Sequence, residues 1–153
     1  MAFTAGGKLR ASDLVALDNR GYFSRYSTSD SSTANAWKTP AIALAEGSGT
    51  GLSLASSTIT LGAGTWAVDL SLYISGAGTS TGLIALAKTT GDPVTGGSYG
   101  IQEMGSTATL WGGEVSQLIK SDGTAALVPQ IYETTGSLSL ATLRLVFQRL
   151  SSS

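Results

Sequence analysis

The sequence predicts an all-β protein, an antiparallel β-sandwich or barrel, preceded by an extended N-terminal arm with a short helix. Three observations predict it. From Trp37 onward, short runs of alternating apolar and polar residues are separated by Gly, Pro and Asp turns at roughly 8–12-residue spacing, the signature of a sandwich or barrel. The 153 residues are 42% hydrophobic and only 12% charged, with 20 Gly and 41 Ser plus Thr, enough apolar matter for one core and little for charged surface. The chain also changes character near residue 37. Its first 40 residues carry five cations against three anions, and the remainder four against seven. No fixed-period repeat is present, which excludes a solenoid or propeller.

The elements follow in order. Ala11–Asp18 (ASDLVALD) has the length of about two helical turns, with Ser12 or Asp13 as N-cap. A helix that short is marginal alone and needs a surface to lie on. Ser24–Ala36 (SRYSTSDSSTANA) is small and polar and reads as a linker. Residues 1–36 are therefore assigned to an arm and 37–153 to the β-domain. Within the β-domain, strands are predicted at Thr39–Leu44, Thr58–Leu61, Thr65–Ile74 and Leu83–Lys88. Further strands are predicted at Ala108–Trp111, Glu114–Lys120, Thr124–Glu133 and Leu138–Leu150. Gly112-Gly113 reads as a turn or bulge, and Ser121-Asp122-Gly123 as a hairpin turn. Pro129 predicts an edge strand or a bulge. Thr89–Tyr99 reads as a long Gly/Pro loop.

Absent residues exclude whole classes of chemistry. With no His and no Cys, no Ser-His-Asp or Cys-His triad can form. His/Cys zinc, haem and iron–sulfur sites are excluded, as is a disulfide framework. A net charge of −1 argues against nucleic acid as a partner. No window approaches the roughly 18 consecutive apolar residues of a membrane span, and Met1–Arg10 lacks a signal-peptide core. Glu103, Glu114, Asp122 and Glu133 read as solvated surface acids, since nothing spaces any two as a glycosidase pair. The Gly47–Gly51 run lacks the Lys-Ser/Thr of a phosphate loop, and no calcium-loop spacing surrounds Asp92 or Asp122. The expectation is a non-enzyme with no cofactor and no metal. Sugar stacking is the ligand chemistry left open. Trp37, Trp66, Trp111, Tyr99 and Tyr132 could stack on sugars if exposed; Trp66 shares a face with Val68 and Leu70 and belongs to the core, and Tyr99 and Trp111 are the better candidate glycan contacts.

Two strands look apolar on both faces. In Thr65–Ile74, Trp66, Val68, Leu70, Leu72 and Ile74 take one face, yet the other still offers Ala67 and Tyr73. In the last strand Leu143, Leu145 and Phe147 oppose Val146 and Leu150. A half-solvated sheet is polar on its second face, so these faces predict cover by another subunit, or by the arm. Asp69 and Arg144 are charges inside apolar strands and are expected to pair across strands or across subunits.

Two family resemblances add to this reading. The succession "TITL", "GAGTWAVDLSLYI", "GEVSQLIKSDGTAALVPQIYE" and "LRLVFQRL", over about residues 39–150, resembles the jelly roll of tumour necrosis factor and of the complement globular head. That resemblance implies a homotrimer whose axis is lined by the terminal strand, with Tyr73, Arg144, Val146 and Leu150 at the interface. The aromatic-rich motif that the animal members carry near the fourth strand is missing, so cytokine-type receptor binding is not carried over. The opening "TAGGKLRASDLVALD" is similar to the start of virion proteins from tailed phages of actinobacteria. It implies an attachment segment formed by Thr4, Ala5, Gly6, Leu9, Arg10, Ala11, Ser12, Asp13 and Leu14, with Val15 where Asn is common. Together these imply a structural protein on the virion surface, a trimeric head decoration protein held by its arm to the major capsid protein or another virion protein. A minor tail or tail-tip protein of the same virion, and a carbohydrate-binding module for a host-surface glycan, are the alternatives.

Overall fold

The computed structural model describes residues 20–26, 35–46, 51–75, 82–106, 110–134 and 139–151. Every regular element among them is a strand. In chain order these are β1 (Arg20–Tyr26), β2 (Ala36–Lys38), β3 (Ala43–Glu46), β4 (Leu52–Ala55), β5 (Thr58–Leu61) and β6 (Gly64–Ser75). Then follow β7 (Gly82–Ala87), β8 (Ser98–Glu103), β9 (Gly105–Ser106), β10 (Leu110–Ser121), β11 (Ala125–Glu133) and β12 (Ser139–Ser151). The first sheet has the order β3-β1-β12-β6-β10-β9, and the second β4-β5-β11-β7-β8 with β2 added along β11. All pairings are antiparallel. From β5 to β12 the chain passes repeatedly between the sheets, which sets β12 between β1 and β6 and β11 between β5 and β7. This is a jelly-roll sandwich.

Period-two alternation builds the core. Trp66, Val68, Leu70 and Leu72 of β6 point inward and are fully buried, while Ala67, Asp69 and Ser71 stay half-buried on the other face. Leu143, Leu145 and Phe147 of β12 and Val115 and Ile119 of β10 extend the same inner face. Opposite them lie Ile59 and Leu61 of β5, Ile84 and Leu86 of β7, and Leu127 and Ile131 of β11. Met104 enters the core where the chain crosses from β8 to β9, and its N–H donates to the Gly82 carbonyl.

Several sequence expectations change in three dimensions. The turn or bulge at Gly112-Gly113 does not occur: β10 runs unbroken and pairs with β6 residue for residue. The glycines answer a packing demand instead. A Cβ on Gly113 would lie 3.0 Å from both Ile84 Cγ2 and Met104 Cγ. Pro129 does not mark an edge strand. β11 is flanked by β7 along one side and by β5, then β2, along the other. Pro129 falls in the gap between the β5 pairing, which ends at Leu127, and the β2 pairing, which starts at Ile131. β4 and β8 lie where no strand was expected, and of the expected Thr39–Leu44 strand only Ala43 and Leu44 are in one, β3, while β2 ends just before it. Arg20–Tyr26, which composition assigned to arm and linker, pairs with β12 over its whole length and adds a strand to the first sheet. The helix expected at Ala11–Asp18 and the attachment residues Thr4–Leu14 lie outside the described residues.

The doubly buried strands are β7 and β11 rather than β6 and β12. Ala85, Ala87, Val128 and Gln130 face away from the core and are nevertheless buried. In the orientation that satisfies both ends of its amide, Gln130 donates to the Lys38 carbonyl at 3.1 Å. Its oxygen then accepts from Thr39 Oγ1 at 2.7 Å and from the Gly91 N–H at 3.3 Å. The segments around Thr39 and Gly91 are thereby tied over the second sheet.

Candidate functional site: the open face of the first sheet

The first sheet keeps its outer face open over β12, β6 and β10. Register sets the residues of this face in rows. Gln148, Ala67 and Leu118 form one row, Val146, Asp69 and Ser116 the next, then Arg144, Ser71 and Glu114, then Thr142, Tyr73 and Gly112. Leu118 is 71% exposed, Tyr73 60% and Leu150 50%, and Val146 is half-buried. Tyr73 and Leu118 stand three rows apart on this face, with the polar rows of Asp69 and Ser71 between them. Tyr73 lies beside Gly112: a Cβ there would sit 3.7 Å from the tyrosine ring, so the glycine leaves the ring room on the sheet.

Of the residues the sequence assigned to an interface, Tyr73, Arg144 and Val146 share this face, and Leu150 falls where the β12–β6 register shifts between Arg149 and Ser151. Leu118 is an exposed apolar residue of this face that the sequence reading did not name. Its signal was present, since it is the apolar residue on the otherwise polar side of Glu114–Lys120. Asp69 and Arg144 occupy diagonal positions on neighbouring strands of this face, because Asp69 pairs with Val146 and Arg144 with Ser71. Diagonal neighbours lie about 7–8 Å apart, within reach of a long side chain.

The other predicted residues lie elsewhere. Tyr99 of β8 is half-buried, packs against the core and has Lys88 Nζ 5.3 Å from its ring centroid. Burial raises its pKa, and the Asp122 charge adds to that. The Trp111 backbone pairs with Ile74 and Ser106, while its side chain lies outside what is described. Trp66 is in the core as expected, its indole N–H donating to the Gly62 carbonyl at 2.8 Å.

Glu103, Glu114 and Asp122 are exposed, but Glu133 is not a solvated acid. It is fully buried where β2 and β7 flank the end of β11. Asp122 is committed to its own turn. It accepts from Thr124 Oγ1 at 2.6 Å and from the Thr124 N–H at 2.9 Å, and these bonds lower its pKa. Asp92 likewise accepts from the Val94 N–H at 2.8 Å. Among the described residues no three His, Cys, Asp or Glu side chains gather as a metal site, and no helix is long and apolar enough to cross a membrane.

No protein-family model matches the chain, and no curated protein matches it in sequence. Solved structures do match in shape. The PRD1 vertex protein P5 is 18% identical, with a TM-score of 0.57 over 86% of this chain and 96% of that one. Murine APRIL, 9% identical, gives 0.60 over 86% of this chain and 99% of its own. The Eiger TNF of S. frugiperda, 11% identical, gives 0.57 over 88% and 93%. The fold is a tumour-necrosis-factor-like jelly roll. At these identities the likeness is one of architecture. The sheet that holds the terminal strand β12 is also the one whose outer face exposes Tyr73 and Leu118.

Proposed function

We propose that this protein is a structural component of a phage particle, a homotrimeric head decoration protein displayed on the virion surface. The observation that carries the reading is the outer face of the first sheet, where Tyr73 and Leu118 are exposed in its two end rows, Val146 is half-buried between them and Leu150 is exposed at the end of β12. Burying such side chains contributes about 1–2 kcal/mol each, and a three-fold ring uses the face three times. Arg144 and Glu114 flank Ser71 on the same face and supply charges that would set the register between copies. The jelly roll shared with a phage vertex protein supports a virion setting. In this reading the segment Thr4–Leu14 binds the major capsid protein or another virion protein. Three weak arms on one trimer then hold by effective concentration.

Native mass spectrometry of the full chain tests the assembly. A trimer is expected, and Leu118→Lys should convert it to monomer while the far-ultraviolet spectrum stays β. A wild-type monomer removes the trimer. Antibody labelling of particles of the parent phage tests the location. Label on heads supports the decoration role, label on tails replaces it with the minor tail reading, and an unlabelled particle overturns both.

A further inference from the structure

The second sheet's outer face is buried around Val128 and Gln130, but one row toward its end stays half-open. Register places Trp37 of β2, Tyr132 of β11, Leu83 of β7 and Glu103 of β8 side by side across four strands. All four share the face opposite Ile84, Leu86 and Ile131, which point into the core. Trp37, Tyr132 and Leu83 are half-buried and Glu103 is exposed. The Trp37 and Tyr132 rings stand 5.3 Å apart between centroids, tilted by 47°.

Asn35 borders this row. It holds a left-handed backbone, φ 58°, which Asn tolerates better than most residues. Its N–H donates to the Glu133 carbonyl at 2.8 Å, and its side-chain oxygen accepts from the Tyr132 hydroxyl at 3.3 Å. Two residues of the row's end are thus pinned: the Tyr132 ring by Trp37 and by Asn35, and Asn35 by β11.

We infer that this row is a carbohydrate-binding platform. The apolar C–H face of a pyranose ring lies flat on an aromatic ring. The hydroxyls at its rim need acceptors and donors, here the Glu103 carboxylate and the Asn35 amide. The row itself carries no cation, so the chemistry fits a neutral glycan rather than a phosphate or an anionic surface. Size also favours a small ligand over a protein. A fully exposed Trp and Tyr would offer about 150–250 Å² each, and half of that falls far short of the ~800 Å² per partner of a stable protein interface. The platform lies on the opposite side of the sandwich from Tyr73 and Leu118, so a trimer built through the first sheet would leave three copies facing outward. Its aromatics, Trp37 and Tyr132, are ones the sequence ranked behind Tyr99 and Trp111, and Lys88 occupies a face of Tyr99.

The test is a glycan array probed with the labelled full chain, followed by titration of the retained oligosaccharide against wild type and variants. Trp37→Ala should weaken binding at least about tenfold, the loss of one stacking anchor. Asn35→Gly keeps the backbone conformation and removes the amide. It should weaken binding severalfold with the unfolding midpoint unchanged, which separates recognition from folding. Trp111→Ala should bind as wild type. The monomeric Leu118→Lys chain should keep the same affinity per site and lose only avidity, so failure of the trimer and failure of the sugar site read out separately. No glycan retained on the array overturns the inference. So does full binding by both Trp37→Ala and Asn35→Gly.

Discussion

The guanidinium of Arg149 lies over the Trp66 ring, 5.7 Å from its centroid, and donates from Nη2 to the Ala63 carbonyl. This contact joins the end of β12 to the turn between β5 and β6. Gly64 makes the approach possible, because a Cβ there would lie 2.2 Å from the Ser151 carbonyl oxygen. Arg149→Ala removes a partly desolvated cation–π contact and a carbonyl bond. It should destabilise by about 1–3 kcal/mol in urea unfolding. Arg149→Lys should recover only part of this, since an ammonium lacks the planar fork that stacks and donates at once.

Gln130 is fully buried and bonds two segments over the second sheet. Gln130→Leu keeps similar bulk but removes the bonds to Lys38, Thr39 and Gly91. The expected loss is about 0.5–1.5 kcal/mol per bond removed. Hydrogen exchange should show the Gly91 amide losing protection before β11 does. Equal protection in both chains would refute the tie.

Gly113→Ala places a methyl 3.0 Å from Ile84 Cγ2 and Met104 Cγ. Overpacking of this kind costs about 1–3 kcal/mol. Met104→Ala in the same chain frees one of the two contacts and should make the pair less damaging than the sum of the single changes, read as a double-mutant cycle.

The Asp122 turn sets a pH dependence of known sign. Hydrogen bonds from the Thr124 side chain and backbone hold the Asp122 carboxyl below its usual range. A carboxylate with a lowered folded pKa adds stability above its unfolded pKa and loses it as pH falls through the folded value. Thr124→Val removes the hydroxyl donor, so the carboxyl titration of Asp122, followed by NMR, should move up toward the ordinary range. Tyr99 acts at the alkaline end with the opposite displacement. Its folded pKa is raised by burial, so its contribution is complete below the usual value near 10 and is lost as pH rises above it. Tyr99→Phe should flatten that alkaline decline.

The sequence by itself determined the class of the fold and most of its core. Alternation in Thr65–Ile74 is long enough to assign Trp66, Val68, Leu70 and Leu72 to one buried face without any neighbour being known. The absence of His and Cys bounded the chemistry before any geometry was available. Leu118 was legible too, as an apolar residue out of phase with its strand. Tertiary structure decided what depends on neighbours. A glycine pair inside a strand and a glycine pair at a turn look alike in sequence, and only the approach of Ile84 and Met104 explains Gly113. Glu133 reads as a surface acid until β2 and β7 close around it. Gln130 carries no signal of burial in the sequence, and Thr39 and Gly91 bond to it over the second sheet. The row of Trp37, Tyr132, Leu83 and Glu103 draws one residue from each of four strands spread over nearly 100 positions of sequence. Alternation says which way a side chain points, but only the pairing of strands says what stands beside it.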